Sequence, residues 1–134
     1  MARYLLDTNH LSPLVTLGHS LRERVLVRMA EGDEFCVATV CAAEVVYGIG
    51  ILPRAEANLA EWDRLKSGFT HLQVELFEAE RAGHLQIALR RAGVQFKTVD
   101  AIIAAVALRD QLMLLTTDGD FTAVPGLERD NWLA

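Results

Sequence analysis

Leu112-Met113-Leu114-Leu115-Thr116-Thr117-Asp118 is the clearest strand of the chain, an apolar run that ends in two threonines and an acid. What surrounds it decides the fold. Thr98 caps a helix that reaches about Asp110, with Asp100 ahead of Ala101-Ile102-Ile103-Ala104-Ala105-Val106-Ala107-Leu108. Before that, Glu78 to Ala92 repeats apolar residues at Ala82, Leu85, Ala88 and Leu89, and Gly93 stops the pattern. His71 to Val74 reads as a strand. Pro53 starts an amphipathic helix with Leu59, Trp62 and Leu65 at helical spacing, ending near Gly68. Thr39 caps a helix to about Tyr47 that stops in Gly48-Ile49-Gly50, and a short strand, Glu34 to Ala38, precedes it. Ser20 caps a helix through about Ala30, ended by Gly32. The chain begins with a strand, Arg3 to Leu6, followed by a helix over Thr8 to Gly18 that accepts Pro13 near its start. Strands alternating with helices predict an α/β sandwich around a mainly parallel sheet with right-handed crossovers. A length of 134 residues predicts one domain, residues 1–134.

In such sheets ligands gather beyond the carboxyl ends of the strands. Asp7 and Asp118 fall just past two strand ends, while Glu44 and Asp100 lie in the early turns of helices leaving the same edge. Each acid has a plain alternative. Asp7 can cap the next helix. Glu44, the one charge in Val40-Cys41-Ala42-Ala43-Glu44-Val45-Val46-Tyr47, can reach water along an exposed stripe. Asp100 suits a first-turn position near the helix dipole, and Asp118 can open an Asx-turn in Asp118-Gly119-Asp120. Together at one edge they are costly unless a cation neutralises them. The pattern therefore points to a divalent-metal site, and an all-oxygen carboxylate set suits one or two Mg²⁺ or Mn²⁺ ions.

The net charge of −5 argues against nucleic-acid binding through bulk electrostatics, but not against an enzyme that acts on nucleic acid through metal ions. Half of the chain is hydrophobic (51%), which predicts a folded globule. No apolar run is long enough to span a membrane and no leader is visible, so a soluble cytoplasmic protein is expected. Cys36 and Cys41 are too few for a disulfide framework. There is no G-x-S-x-G, Walker A or G-x-G-x-x-G, which removes serine hydrolase and ordinary nucleotide-cofactor readings. Substrate grip must come from local cations. Arg90, Arg91 and Lys97, just ahead of Asp100, are the candidates by chain proximity; Arg22, Arg24, Arg28 and Arg54 are further basic positions. A solvated face is the alternative for each.

Leu5-Leu6-Asp7-Thr8-Asn9, Thr39-Val40 through Ala43-Glu44, Asp100-Ala101-Ile102-Ile103-Ala104-Ala105, and Leu115-Thr116-Thr117-Asp118 through Phe121 resemble the four motifs of PIN-domain nucleases. The compact length and the tail from Pro125-Gly126-Leu127 to Trp132 resemble the VapC toxins of toxin–antitoxin modules. Each motif is a few residues long; the ordered set, with Gly93 ahead of Asp100, makes the resemblance specific. It implies a PIN-like three-layer α/β/α sandwich with Asp7, Glu44, Asp100 and Asp118 as the acidic metal-binding and catalytic set. Asn9 and Thr116 would orient these acids by hydrogen bonding. Asp120 matches a position that is acidic in many members, with a turn role as its alternative. The implied reaction is Mg²⁺- or Mn²⁺-dependent hydrolysis of RNA, leaving a 5′-phosphate and a 3′-hydroxyl. The implied partners are a VapB-like antitoxin that blocks the acidic pocket and a second copy in a homodimer. Thr98-Val99 precedes Asp100 where many relatives have a proline nearby.

Two other readings compete. A phosphatase or phosphoacceptor fold also places an aspartate after the first strand, but needs a second acid two residues on and a late lysine. Here Asn9 stands at that place and no lysine follows Lys97. A PIN-like scaffold that binds RNA or protein without cutting is the non-enzymatic alternative, against which stands the presence of all four acids.

Overall fold

The computed structural model describes all residues from Met1 to Ala134. Five parallel strands lie in the order β3-β2-β1-β4-β5. They are β1 (Arg3–Leu6), β2 (Glu34–Ala38), β3 (Thr70–Leu72), β4 (Met113–Leu115) and β5 (Arg129–Asp130). Six helices connect them: α1 (Thr8–Leu11), α2 (Ser20–Ala30), α3 (Thr39–Gly50), α4 (Ala55–Leu65), α5 (Leu76–Arg91) and α6 (Thr98–Asp110). None is long and apolar enough to cross a membrane. Leu5, Leu6, Phe35, Cys36, Val37, Leu114 and Leu115 are all fully or almost fully buried. A parallel sheet covered by helices on both faces requires such continuous apolar strands.

Register places the site. Leu5 pairs with Cys36 on one side, and Leu6 with Leu115 on the other. The chain runs outward from β1 through β2 to β3, then crosses back to form β4 on the opposite flank of β1. A crevice therefore opens past the carboxyl ends of β1 and β4, where strand order reverses. Asp7 stays in this ladder, its N–H donating to the Leu115 carbonyl at 3.0 Å. Asp7 and Asp118 thus flank the crevice by backbone placement alone.

Several element limits differ from the sequence reading. Thr8 to Gly18 is not one helix: a single turn, α1, gives way to a 3₁₀ turn over Ser12–Val15. Pro13 is the reason, since it has no N–H for a continuing helical ladder. Ser20, Thr39 and Thr98 each stand inside their helices rather than capping them. At α2 the acceptor is His19 Nδ1, bonded by the Leu21 N–H at 3.0 Å. Helix α3 continues through Gly48 to Gly50, and α4 begins only at Ala55, after Arg54 at φ 66°. Helix α5 starts at Leu76, closed by a reciprocal cap between Glu75 and Glu78. The tail contains β5, whose Asp130 carbonyl accepts from the Thr116 N–H at 3.0 Å.

Candidate active site

Asp7 is the anchor. It is only 5% exposed, yet both carboxylate oxygens are held. Oδ1 accepts from the Thr8 N–H at 2.8 Å, so the capping role is real. Oδ2 accepts from the Thr116 hydroxyl at 2.7 Å and from Asn9 Nδ2 at 3.2 Å. Burial raises the Asp7 pKa; hydrogen bonds from Thr116 and Thr8 oppose this, and the charges of Glu44 and Asp118 add to it. Thr116 Oγ1 also accepts from the Asp118 N–H at 3.0 Å, tying the ends of β1 and β4 together.

Asp118, Asp100 and Glu44 complete the acidic ring. Asp118 Oδ1 accepts from the Asp120 N–H at 2.9 Å, so the Asx-turn exists alongside its place in the cleft. Asp100, half-buried in the first turn of α6, is pushed up to about 6. Burial is the main cause, followed by the charges of Asp7, Asp118 and Glu44, with Lys97 opposing. Glu44 is exposed, so its carboxylate is not the buried charge its apolar neighbours suggested. It leans over the site, accepting from the Thr8 hydroxyl at 2.7 Å. These acids, with Ser12 and Lys97, line one cleft of about 490 Å³.

Other candidates are placed differently. Asp120 is exposed and contributes its N–H to the turn; its side chain does not line the cleft. Lys97 does line it, Arg90 faces a neighbouring groove, and Arg91 lines neither. Arg22 and Arg28 are committed to ion pairs with Glu61 and Asp33, and Arg24 stacks on Trp132. Trp62 is buried against Phe69. Cys36 and Cys41 are free and buried, each thiol pushed up to about 12 mainly by burial.

Sequence reasoning passed over two contributors. Thr8 looked like a capping residue, and nothing in the sequence links it to Glu44, 36 positions away. His10 looked isolated. It is fully buried, its Nδ1 lies 2.8 Å from Asn9 Oδ1, and its Nε2 accepts from the Trp132 N–H at 3.1 Å. Burial lowers its pKa to about 4, against a smaller opposing effect of Asp130. The neutral ring then donates to Asn9, which in turn bonds Asp7. The only hint was that an otherwise unexplained histidine adjoins Asp7-Thr8-Asn9.

The donor set fits a hard divalent cation. It contains only oxygen ligands, the charges of Glu44 and Asp118 help to raise the pKa of Asp7 and Asp100, and Lys97 is the single cation lining the cleft. The carboxylates do not form a closed cage, because no group of three converges as a ready ligand set. An open arrangement suits Mg²⁺, which keeps several waters and takes one or two carboxylates together with substrate phosphate oxygens.

An α/β sheet with carboxylates gathered at its switch point is the architecture of a PIN-like fold. The PIN domain family matches residues 4–127, and the chain belongs to that family. It is 27% identical over 134 residues to the tRNA(fMet)-specific endonuclease VapC of Shigella flexneri, covering 98% of this chain and 99% of that protein. The fold superposes on VapBC2 of Rickettsia felis bound to a promoter DNA fragment, with a TM-score of 0.84 and 22% identity over 97% of this chain and 98% of that one. A second match is DNA-bound VapBC of Salmonella typhimurium, with a TM-score of 0.82, 25% identity, and coverage of 98% and 99%.

Proposed function

We propose that this protein is a metal-dependent endoribonuclease of the VapC type, the toxin of a toxin–antitoxin pair. The observation that carries the reading is the meeting of Asp7, Glu44, Asp100 and Asp118 in one cleft, with the Asp100 carboxyl displaced to about 6. Packed acids that disfavour their own ionisation are arranged for a positive ligand rather than for stability. Kinship with a VapC that acts on tRNA supports RNA as the substrate.

In this mechanism Asp7, Glu44, Asp100 and Asp118 would hold Mg²⁺ or Mn²⁺ together with substrate oxygens and water. When bound, the ion supplies positive charge against the phosphate and makes an attacking water more acidic. Thr116 and Asn9 fix the Asp7 carboxylate in one orientation, and His10 fixes Asn9, so the ligand oxygen does not reorganise when substrate arrives. Asp118 is held at the mouth by Thr116 and orients the water. Lys97, at the rim, draws a phosphate into an otherwise repulsive cleft.

The antitoxin lies along α3. Glu44, Tyr47 and Ile51 fall near one face by helical spacing, and Tyr47 and Ile51 are 70% and 65% exposed. A partner segment with apolar residues followed by an arginine would cover that stripe and place its guanidinium among the acids. A homodimer completes the reading and is checked by sedimentation.

The test is cleavage of a panel of structured RNAs with Mg²⁺, Mn²⁺ or EDTA. Wild type should cut with metal, stop with EDTA, and lose at least about a hundredfold in rate as Asp7→Asn. Metal-independent cutting would defeat the proposal. Binding without cutting would instead support the inert scaffold.

A further inference from the structure

Beside the acidic cleft lies a larger groove of about 570 Å³ that contains no carboxylate. Gly83, Gln86 and Arg90 of α5 form one wall, and Gly93, Gln95 and Phe96 form the other. Its partition from the acidic cleft is the segment running from Gln95 through Lys97 to Thr98. Gly93, at φ +85°, makes the turn that folds this segment back against α5. Gln86 Nε2 then pins it, donating to the Phe96 carbonyl at 2.9 Å and to Thr98 Oγ1 at 3.1 Å. The two depressions therefore lie on either side of one pinned segment.

We infer that this groove binds the single-stranded RNA flanking the scissile phosphate, with Arg90 on a backbone phosphate and Gly83 allowing close approach of the sugar–phosphate chain. The inference rests on the ribonuclease reading and extends it to substrate grip.

Charge supports this occupant. The chain is acidic overall, and Arg3, Arg22, Arg28, Arg64, Lys66 and Arg109 are held in internal ion pairs. Arg90 and Lys97 are in none of these pairs, and they stand on the two sides of the shared wall. Arg54, Arg81, Arg91 and Arg129 are also outside those pairs, but only Arg90 and Lys97 line the groove or the acidic cleft, where a polyanion repelled by the acids would meet them.

Gly83 supplies an independent argument. It lies inside α5, where glycine is a poorer helix former than alanine. Its φ is not positive, and a Cβ built there meets nothing within 4 Å. The protein's own packing gives no reason for the missing side chain. Gly48 and Gly50 of α3 are equally open, but Gly83 alone of these three lines the groove, where a ligand backbone would pass over the helix.

The test uses a fluorescein-labelled single-stranded oligoribonucleotide of mixed sequence, followed by anisotropy in an Asp7→Asn background without cleavage. Gly83→Gln should raise the melting temperature, because glutamine is the better helix former, yet weaken RNA binding roughly tenfold. Arg90→Gln should also weaken it roughly tenfold and lower the slope of log affinity against log salt by about 0.7, the signature of one lost phosphate contact. Unchanged affinity in both variants overturns the proposal. Altered self-association with intact RNA affinity also overturns it, and reassigns the groove to a protein contact. Cleavage by wild type is measured in parallel, so failure of the nuclease reading is seen separately.

Discussion

Replacing Asp100 by asparagine should make the protein more stable at neutral pH, and the structure sets the size. The Asp100 carboxyl is raised from an ordinary 3.8 to about 6. At 1.36 kcal/mol per pH unit, this corresponds to about 3 kcal/mol of unfavourable charge in the folded state. Screening reduces it because the group is half-exposed, and its place in the first turn of α6 returns about 0.3–1 kcal/mol. A gain of about 1–2 kcal/mol is expected. Asparagine loses nothing else, since the Asp100 side chain accepts none of the hydrogen bonds that hold Asp7, Glu44 and Asp118. The sign follows from proton counting. Between pH 3.8 and about 6 the folded chain binds the extra proton, so stability falls as pH rises through that window. The advantage of Asp100→Asn should therefore be full at pH 7 and absent near pH 3.5, the latter roughly where both states are protonated. Thermal melts should show a rise of about 3–8 °C at pH 7, and urea unfolding at both pH values supplies the free energies. Mg²⁺ should stabilise wild type at pH 7 and Asp100→Asn much less. A variant no more stable than wild type at pH 7, or equally stabilised at both pH values, would refute the claim that burial and the neighbouring acids together disfavour the Asp100 charge.

Three further outcomes follow from the same contacts. The His10 pKa is lowered to about 4 from 6.5, so the unfolded chain takes up the extra proton first and stability falls as pH drops through that window. His10→Gln should remove this acid loss in melts from pH 7 to 4, uncovering the opposite slope from Asp100. Thr116→Val removes the hydroxyl that both donates to Asp7 and accepts from the Asp118 N–H. It should lower kcat/KM about tenfold or more with a smaller change in KM, measured in single-turnover cleavage with Mg²⁺. Glu61→Ala strands Arg22, which is bonded to Glu61 and to the Leu14 carbonyl, and should lower the midpoint of urea titrations.

The strands that carry Asp7 and Asp118 were legible because a parallel sheet demands unbroken apolar runs, and Tyr4-Leu5-Leu6 and Leu112-Met113-Leu114-Leu115 are such runs. The meeting of the acids was legible for the same reason, since strand ends and helix starts share one edge. What escaped depends on long-range partners. Two-residue β5 has no pattern of its own and exists because Leu114 and Leu115 need neighbours. Thr8, His10 and Trp132 acquire roles only through hydrogen bonds spanning 36 to 122 positions. Helix caps failed because Ser20, Thr39 and Thr98 are interchangeable as cap or first residue until the backbone is fixed.

His10 shows why that hidden layer matters to the chemistry. The Trp132 N–H bonds its Nε2, while Trp132 itself packs edge-on against Tyr4 and beneath Arg24. Chain docking at the C-terminus therefore sets which nitrogen of His10 carries the proton, hence how Asn9 is turned, hence how Asp7 is held. An acidic cluster that repels itself would otherwise splay. Here the repulsion is contained by neutral hydrogen-bond donors on both oxygens of Asp7, which fix the carboxylate without cancelling its negative charge. Such a site resists collapse without cancelling the charge that a cation needs.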